Sequence, residues 1–283
     1  MGLAKPVLTI AVLSKNNEKE VVFTLQSINK AITESKRKED VEILILDKSD
    51  SEDKLRSSLF KADFDFEYYV RSQLSSGIFL AFNECVLNAK TPWIIFINSG
   101  DELLNLNSIL YACKNNDDHS IKCLIFKVEI YSNSKKFIAT EPLFFPRSIS
   151  TLLRYQFLFP GVFSICHQAV VFSVENHKNN LFKNNELGLD SYLVKKSLKK
   201  SICFNQIVSR FYTGGVSSRA PKDIKELINA IISRYKSNQL YSAFTAIIKY
   251  ILYVLTEEED FDQIREVRYK LAKLLFRGKY QTK

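Results

Sequence analysis

Trp93-Ile94-Ile95-Phe96-Ile97-Asn98-Ser99-Gly100-Asp101 (WIIFINSGD) sets five apolar residues directly before four polar ones. A short, unbroken apolar run is what a strand needs when helices cover both faces of its sheet. The switch at Asn98 then ends the strand in a polar turn. Just upstream, Thr91 and Pro92 break a helix that opens at Gly77. Its apolar face reads as Ile78, Ala81, Phe82, Cys85 and Ala89. A helix running into a buried strand is one turn of a repeating pattern.

The pattern extends back to the N-terminus. Val7–Leu13 (VLTIAVL) reads as a first buried strand, with Asn17 and Glu20 as the cap of the helix that follows. Val21, Leu25, Ile28 and Ile32 recur at helical spacing and form its apolar face. Val41–Leu46 is a second strand, Ser49–Ser51 a polar turn, and Leu55 and Leu59 mark a short helix before a third strand at Phe66–Val70. Strands alternating with helices through short connections predict an α/β fold, a mostly parallel sheet with helices on both faces. Ligands of such sheets bind beyond the carboxyl ends of the strands. That rule selects Ser14–Asn17, Asp47–Asp50, Arg71–Gly77 and Asn98–Asp101, all polar.

Towards the C-terminus the pattern is less regular. Cys123–Tyr131 and Ile165–Phe172 read as strands, the second carrying His167 and Gln168. Asp190–Leu198 reads as a helix, and Ile202–Phe211 as a strand ending at Gly214-Gly215. From Pro221 the pattern is helical: Leu227, Ile228, Ile231 and Tyr235 share one face, and Ile264, Val267, Leu271 and Leu274 another. The expected organisation is one α/β domain over residues 1–219 and a helical extension over 220–283.

Composition narrows the function. The formal charge of +9 suits an anionic partner, a nucleotide diphosphate or an acidic membrane face, as well as a Lys-rich solvated surface. Lys and Arg are scattered and no nucleic-acid module is recognisable, so no nucleic acid is expected as a partner. The cysteine count is odd, at five, with no CxxC spacing; this speaks against a disulfide framework and a cysteine zinc site and for a cytoplasmic location. No secretory leader is expected, and no apolar run reaches the length of a membrane span.

The first turn, Ser14-Lys15-Asn16-Asn17, lacks the glycines of a dinucleotide fingerprint. GxxxxGK[ST], GxSxG and HExxH do not occur either, so any nucleotide is held without a glycine-rich phosphate loop. Asp101, just past the strand, is either a hard-oxygen ligand for Mg²⁺ or Mn²⁺ bridging a diphosphate or the N-cap of a helix at Glu102-Leu103. Asp47 is either an acceptor for a base or ribose or an Asx-turn residue. His167 is either a core histidine or a ligand contact. Asp190 is either a helix cap or a general base.

Five segments in this order resemble the family 2 glycosyltransferases of GT-A fold, in the bacterial branch that builds capsule, O-antigen or exopolysaccharide. Gly77-Ile78-Phe79-Leu80-Ala81-Phe82-Asn83 is similar to that branch's G-I-Y-D-A-M-N, and the WIIFINSGD strand to one ending N-S-G-D. Cys166-His167-Gln168 resembles C-H-Q, Leu189-Asp190-Ser191-Tyr192 an A-D-Y segment, and Gly214-Gly215-Val216-Ser217 a terminal G-G-[IV]-S. The likeness runs from Pro6 to Arg219. It implies an inverting transferase that moves a sugar from a nucleotide-diphospho-sugar, typically a UDP-sugar, to a glycan or lipid-linked acceptor, with Mg²⁺ or Mn²⁺. Asp47 would contact the base, Ser14 and Asn16 would line the nucleotide pocket, and Arg71 and Asn83 would lie near the ribose or diphosphate. Gly77, Asn98 and Gly100 would complete that pocket. Asp101 would hold the metal, and Asp190 would take the proton of the acceptor hydroxyl. His167 and the Gly214–Ser217 loop would close the donor site, with Arg219 on the diphosphate.

The chain also departs from the pattern. The family's Pro-Thr-Tyr-Asn is Leu13-Ser14-Lys15-Asn16, and its D-G-G-S turn is Asp47-Lys48-Ser49-Asp50. The acid usual before the glycine is replaced by Ser75 or Ser76, the D of G-I-Y-D-A is Leu80, and N-K-G is Asn83-Glu84-Cys85. These changes keep open a non-catalytic member that binds nucleotide or glycan, or a scaffold. The helices of 220–283 lie outside the resemblance. Packing on the catalytic domain, a second subunit and the inner membrane face are the three surfaces they fit.

Overall fold

The computed structural model describes residues 5–116, 118–146, 148, 150, 151, 154, 155, 162–182, 197, 200–213, 223–236, 247, 250, 251, 254 and 262–277. The amino-terminal pattern is realised as β1 (Leu8–Ser14), α1 (Glu18–Ser35), β2 (Val41–Asp47), α2 (Glu52–Ala62), β3 (Tyr68–Ser72), α3 (Ile78–Asn88) and β4 (Trp93–Asn98). Then follow β5 (Glu102–Leu103), α4 (Leu106–Lys114), β6 (Cys123–Tyr131), β7 (Phe137–Glu141), β8 (Val170–Ser173), α5 (Val174–Lys178), β9 (Ser201–Tyr212), α6 (Ile224–Lys236) and α7 (Asp262–Leu275).

The sheet runs in the order β3-β2-β1-β4-β8-β6-β9-β5, with β7 paired to β6. The first four strands are parallel. From β4 onward the pairings turn antiparallel, β4 with β8, β8 with β6 and β5 with β9. The fold is thus the expected α/β architecture with helices packed on the sheet, and the sheet itself is mixed, parallel over β1 to β4 and antiparallel beyond. The unbroken apolar runs are its core: Ile10, Ala11, Val12, Ile43, Ile45, Ile94, Ile95 and Phe96 are almost wholly buried. Parallel register sets the strand ends level, with Ser14 opposite Asp47, Leu13 opposite Asn98 and Asp47 opposite Ser72.

The chain forms two compact units. The first comprises Met1–Val128, Ile165–Asn185 and Val194–Phe211, and holds β1 to β5, β8 and most of β6 and β9. The second comprises Glu129–Ser164, Glu186–Leu193 and Tyr212–Lys283. Its core is aromatic. Phe276 of the segment after α7 packs on Phe144, Tyr155 and Phe163, and Tyr269 of α7 meets Phe137 of β7 edge-on at 6.2 Å. Beside them the buried Glu141 of β7 faces Arg265 of α7, Nε to Oε1 at 3.4 Å.

Several local expectations are corrected. Asn17 occupies the N-cap position of α1, but its side chain does not cap the helix. Ile78 is turned out of the α3 face, at 42% exposure, and Phe79 and Val86 are buried in its place. His167 and Gln168 form a 3-10 turn ahead of β8 rather than lying within a strand, because Cys166 accepts from the Ala169 amide. No helix begins at Glu102: that pair is β5, against Arg210 and Ser209 of β9, and α4 starts later, capped by Asn105 on Ser108. In α7 the predicted face is inverted. Val267, Leu271 and Leu274 are exposed, and Tyr269, Ala272 and Phe276 are buried. In α6, Ile228 is likewise exposed, with Leu227 and Ile231 half-buried. The Asp190–Leu198 helix, with only Ser197 described, and the Gly214-Gly215 turn lie outside the described residues.

Candidate functional site

The level strand ends of the first unit bring four polar turns together. Backbone bonds tie the first three to one another. Lys48 N donates to Ser14 O at 2.9 Å, and Gln73 N to Asp47 O at 2.6 Å. Asn16 takes a left-handed backbone (φ 54°) and closes a reciprocal pair with Asp50, its amide nitrogen on Oδ2 and its oxygen receiving the Asp50 N–H. Asn and Asp are the side chains that best tolerate that conformation while bonding locally. The first and second turns therefore form one rigid ledge without glycine.

Asp47 ends β2 with only 3% of its surface exposed. Its Oδ1 receives the Ser49 hydroxyl at 2.7 Å and the Ser49 amide at 3.3 Å, an Asx turn. Its Oδ2 is buried and takes no hydrogen bond. A buried carboxylate oxygen without a donor is costly, and a ligand donor removes that cost. The two sequence readings of Asp47 are thus compatible, one on each oxygen.

The turn after β4 is held from α1. Thr24 Oγ1 donates to Asp101 O at 2.8 Å and receives the Gly100 amide at 2.9 Å. The Asn17 amide nitrogen donates to Ser99 Oγ, and its Oδ1 receives the Lys15 amide, which is why Asn17 does not cap its own helix. Gly100 has φ +93°, a backbone that strains any side chain, although a Cβ there would meet only Glu20 at ordinary contact distance. Asp101 is 4% exposed, and its Oδ2 accepts a hydrogen bond from the Gln168 side chain. That bond orients the carboxylate and replaces the helix-cap alternative. Asn98 ends β4, and its carbonyl receives the Asp101 amide.

Among the described residues no three His, Cys, Asp or Glu side chains gather as a metal cage. Asp101 alone still suits Mg²⁺ or Mn²⁺, which bind through one or two carboxylates and take further oxygens from substrate phosphates and water.

The remaining candidates are dispersed. Gly77, at φ 97°, caps α3 at the rim of the third turn. Arg71 lies exposed in β3 opposite Leu46. His167 is half-buried with its ring 5.5 Å from that of Phe82. Asn83 faces Phe182: its Nδ2 donates to Phe182 O at 2.7 Å and its Oδ1 receives Phe182 N at 3.0 Å. Both halves of that amide are used in clamping the chain. Asp190 and Arg219 lie outside the described residues.

The sequence assigned no role to three residues that hold the site: Thr24, Gln168 and Glu84. The Glu84 carboxylate receives the Leu74 and Ser75 amides and so returns an acid to the loop that lost one at Ser75. Thr24 left a signal, a polar residue on the apolar face between Val21 and Leu25. Gln168 stood only within the Cys166-His167-Gln168 likeness and Glu84 only as a departure from N-K-G; neither position names its partner, Asp101 for Gln168 and the Leu74 amide for Glu84.

The pattern of glycosyl transferase family 2 matches residues 9–180 of the chain. No curated protein matches it. Among solved structures, S. aureus TarS 1–349 in complex with UDP-GlcNAc superposes with a TM-score of 0.56 at 13% identity, over 93% of this chain and 79% of that one. The mannosyltransferase PcManGT from Pyrobaculum calidifontis, in complex with GDP-Man and Mn²⁺, gives 0.55 at 13% identity, over 98% and 82%. At such identity these likenesses speak for the fold.

Proposed function

The chain belongs to glycosyl transferase family 2, and from that membership we propose that it moves a sugar, with inversion, from a UDP-sugar to a glycan or lipid-linked acceptor of surface-polysaccharide assembly. The observation that carries the donor half is Asp47 Oδ2, a buried acceptor without a donor at the carboxyl end of the sheet. An N–H of a base or a ribose hydroxyl satisfies it. Ser14 and the Asn16–Asp50 ledge supply the rigid floor beside it. Solved relatives of the same fold hold UDP-GlcNAc and GDP-Man with Mn²⁺, which supports a nucleotide-sugar donor.

Asp101 is the residue that would hold the divalent cation, with Gln168 fixing its carboxylate. Such a cation, when bound, neutralises negative charge on the departing diphosphate. In the proposed displacement the acceptor hydroxyl oxygen bonds to the anomeric carbon as that carbon's bond to the diphosphate oxygen breaks. Asp190, from its family position, takes the hydroxyl proton.

Calorimetric titration with UDP and Mn²⁺ tests the reading on the intact chain, Asp47→Ala and Asp101→Ala. Binding that weakens about tenfold or more without Asp47, and loses its metal dependence without Asp101, is expected. If UDP, GDP, dTDP and CMP all fail to bind the intact chain, the donor assignment falls and a scaffold of the same fold replaces it. Asp190→Ala should bind donor normally and lose turnover.

A further inference from the structure

Helix α7 carries two apolar stripes, and only one of them is used. Tyr269, Ala272 and Phe276 are 8%, 0% and 9% exposed and hold the helix to the aromatic core of its unit. On the other side Val267, Leu271, Leu274 and Leu275 are 56%, 54%, 68% and 68% exposed. At 100° per residue Val267, Leu271 and Leu274 form one continuous row. An ordinary surface helix buries its single apolar stripe and is polar opposite; a second outward row marks a surface awaiting an apolar medium or partner.

The borders of that row name the occupant. On the same wheel Lys270 and Arg277 run along one side and Arg268 along the other, with Lys273 further round. Of the acids of α7, Asp262 receives the Thr213 hydroxyl at 2.8 Å, and Glu266 is shared between Lys136 and the border residue Lys270 at 2.9 and 2.8 Å, which leaves Arg268 and Arg277 as border cations that no acid of the helix faces. The row is therefore rimmed by positive charge, on a chain of net charge +9. A second copy is a poor fit, because any two-fold pairing of this face sets cationic borders against cationic borders. A bilayer with anionic headgroups matches both features, with acyl chains for the row and phosphates for the long cationic side chains. Helix α6 of the same unit carries an exposed apolar row of its own, Ile224, Ile228 and Ile232, at 63%, 49% and 46% exposure and spaced by four.

We propose that the outward face of α7, Val267, Leu271 and Leu274 bordered by Lys270 and Arg277, lies on an anionic lipid surface and holds the protein at a membrane as a peripheral protein. No described helix is long and apolar enough to cross a bilayer, so the contact is interfacial. The contact stands independently of the donor assignment, since it uses none of the residues at the strand ends.

The test is vesicle flotation of the full chain with phosphatidylcholine alone and with phosphatidylglycerol mixed in. It is run beside a Val267→Ser/Leu271→Ser/Leu274→Ser variant and a Lys270→Glu/Arg277→Glu variant, with thermal unfolding to verify their folding. The parent is expected to float with the anionic vesicles only, and each variant to lose at least about tenfold in vesicle affinity. Absence of flotation, equal flotation with both vesicles, or flotation unchanged in folded variants would overturn the proposal. So would a concentration-dependent dimer in sedimentation that the serine variant abolishes, since the row would then be covered by a second copy.

Discussion

Asp101 and Gln168 show how much one side chain can decide. The carboxylate is nearly buried, and the amide of Gln168 fixes one of its two oxygens. Under the proposed metal role of Asp101, a partner of this kind would tune the ligand from behind, and losing one would cost about 10- to 100-fold in metal affinity. Gln168→Leu is therefore expected to weaken Mn²⁺-dependent nucleotide binding by that factor and to leave metal-free binding unchanged. Calorimetry with and without Mn²⁺ reads both; an equal fall in the two would show that Gln168 supports packing rather than the carboxylate. Asp47 was legible as a strand-end acid, but the inequality of its oxygens was not. That depends on Ser49 reaching one of them and on burial closing over the other.

Among elements, the clamp between α3 and the stretch after α5 is carried by one amide. Asn83 lies within the family-like segment, and its position suggested a ligand contact. Its two hydrogen bonds to Phe182 give it a structural part in the clamp. Asn83→Leu strands a buried N–H and C=O, so a loss of about 2–4 kcal/mol is expected in denaturant unfolding. Nucleotide affinity in the folded fraction should stay within about twofold; a selective loss of affinity would restore the ligand contact. The β7–α7 pairing holds a second element-scale device. Burial pushes the Glu141 carboxyl up to about 7, and Arg265 offsets only part of that. An acid whose folded pKa is raised is fully tolerated below its ordinary value of 4.5 and costs stability as pH rises from there to about 7. Glu141→Gln should flatten that decline, and above neutral pH should stabilise the protein by on the order of 1–3 kcal/mol. Melting curves across pH decide it, and a variant that keeps the parent's decline rules Glu141 out as its source.

For the molecule as a whole, the last helix, α7, is expected to be part of a core rather than an appendage. Within the second unit Phe276 contacts Phe144, Tyr155 and Phe163, and Tyr269 contacts Phe137. A chain ended at Arg219 would leave four aromatic rings uncovered. It is expected to elute as aggregate in gel filtration and to unfold without cooperativity. A monomeric, cooperatively melting fragment would instead make 1–219 a folding domain.

The sequence by itself determined the parallel half of the sheet, because uninterrupted apolar runs such as VLTIAVL and WIIFI can be satisfied only by burial on both faces. It also located the polar strand ends, since composition switches sharply at Asn98 and Asp47. Tertiary structure alone decided the rest. It settled which oxygen of Asp47 is left without a donor and that Gln168 reaches Asp101. It put Glu84 in the loop of Ser75 and turned the apolar row of α7 outward. Each of these depends on what another part of the chain places opposite. Periodicity identifies an apolar stripe, but only packing decides which of two stripes on one helix is buried.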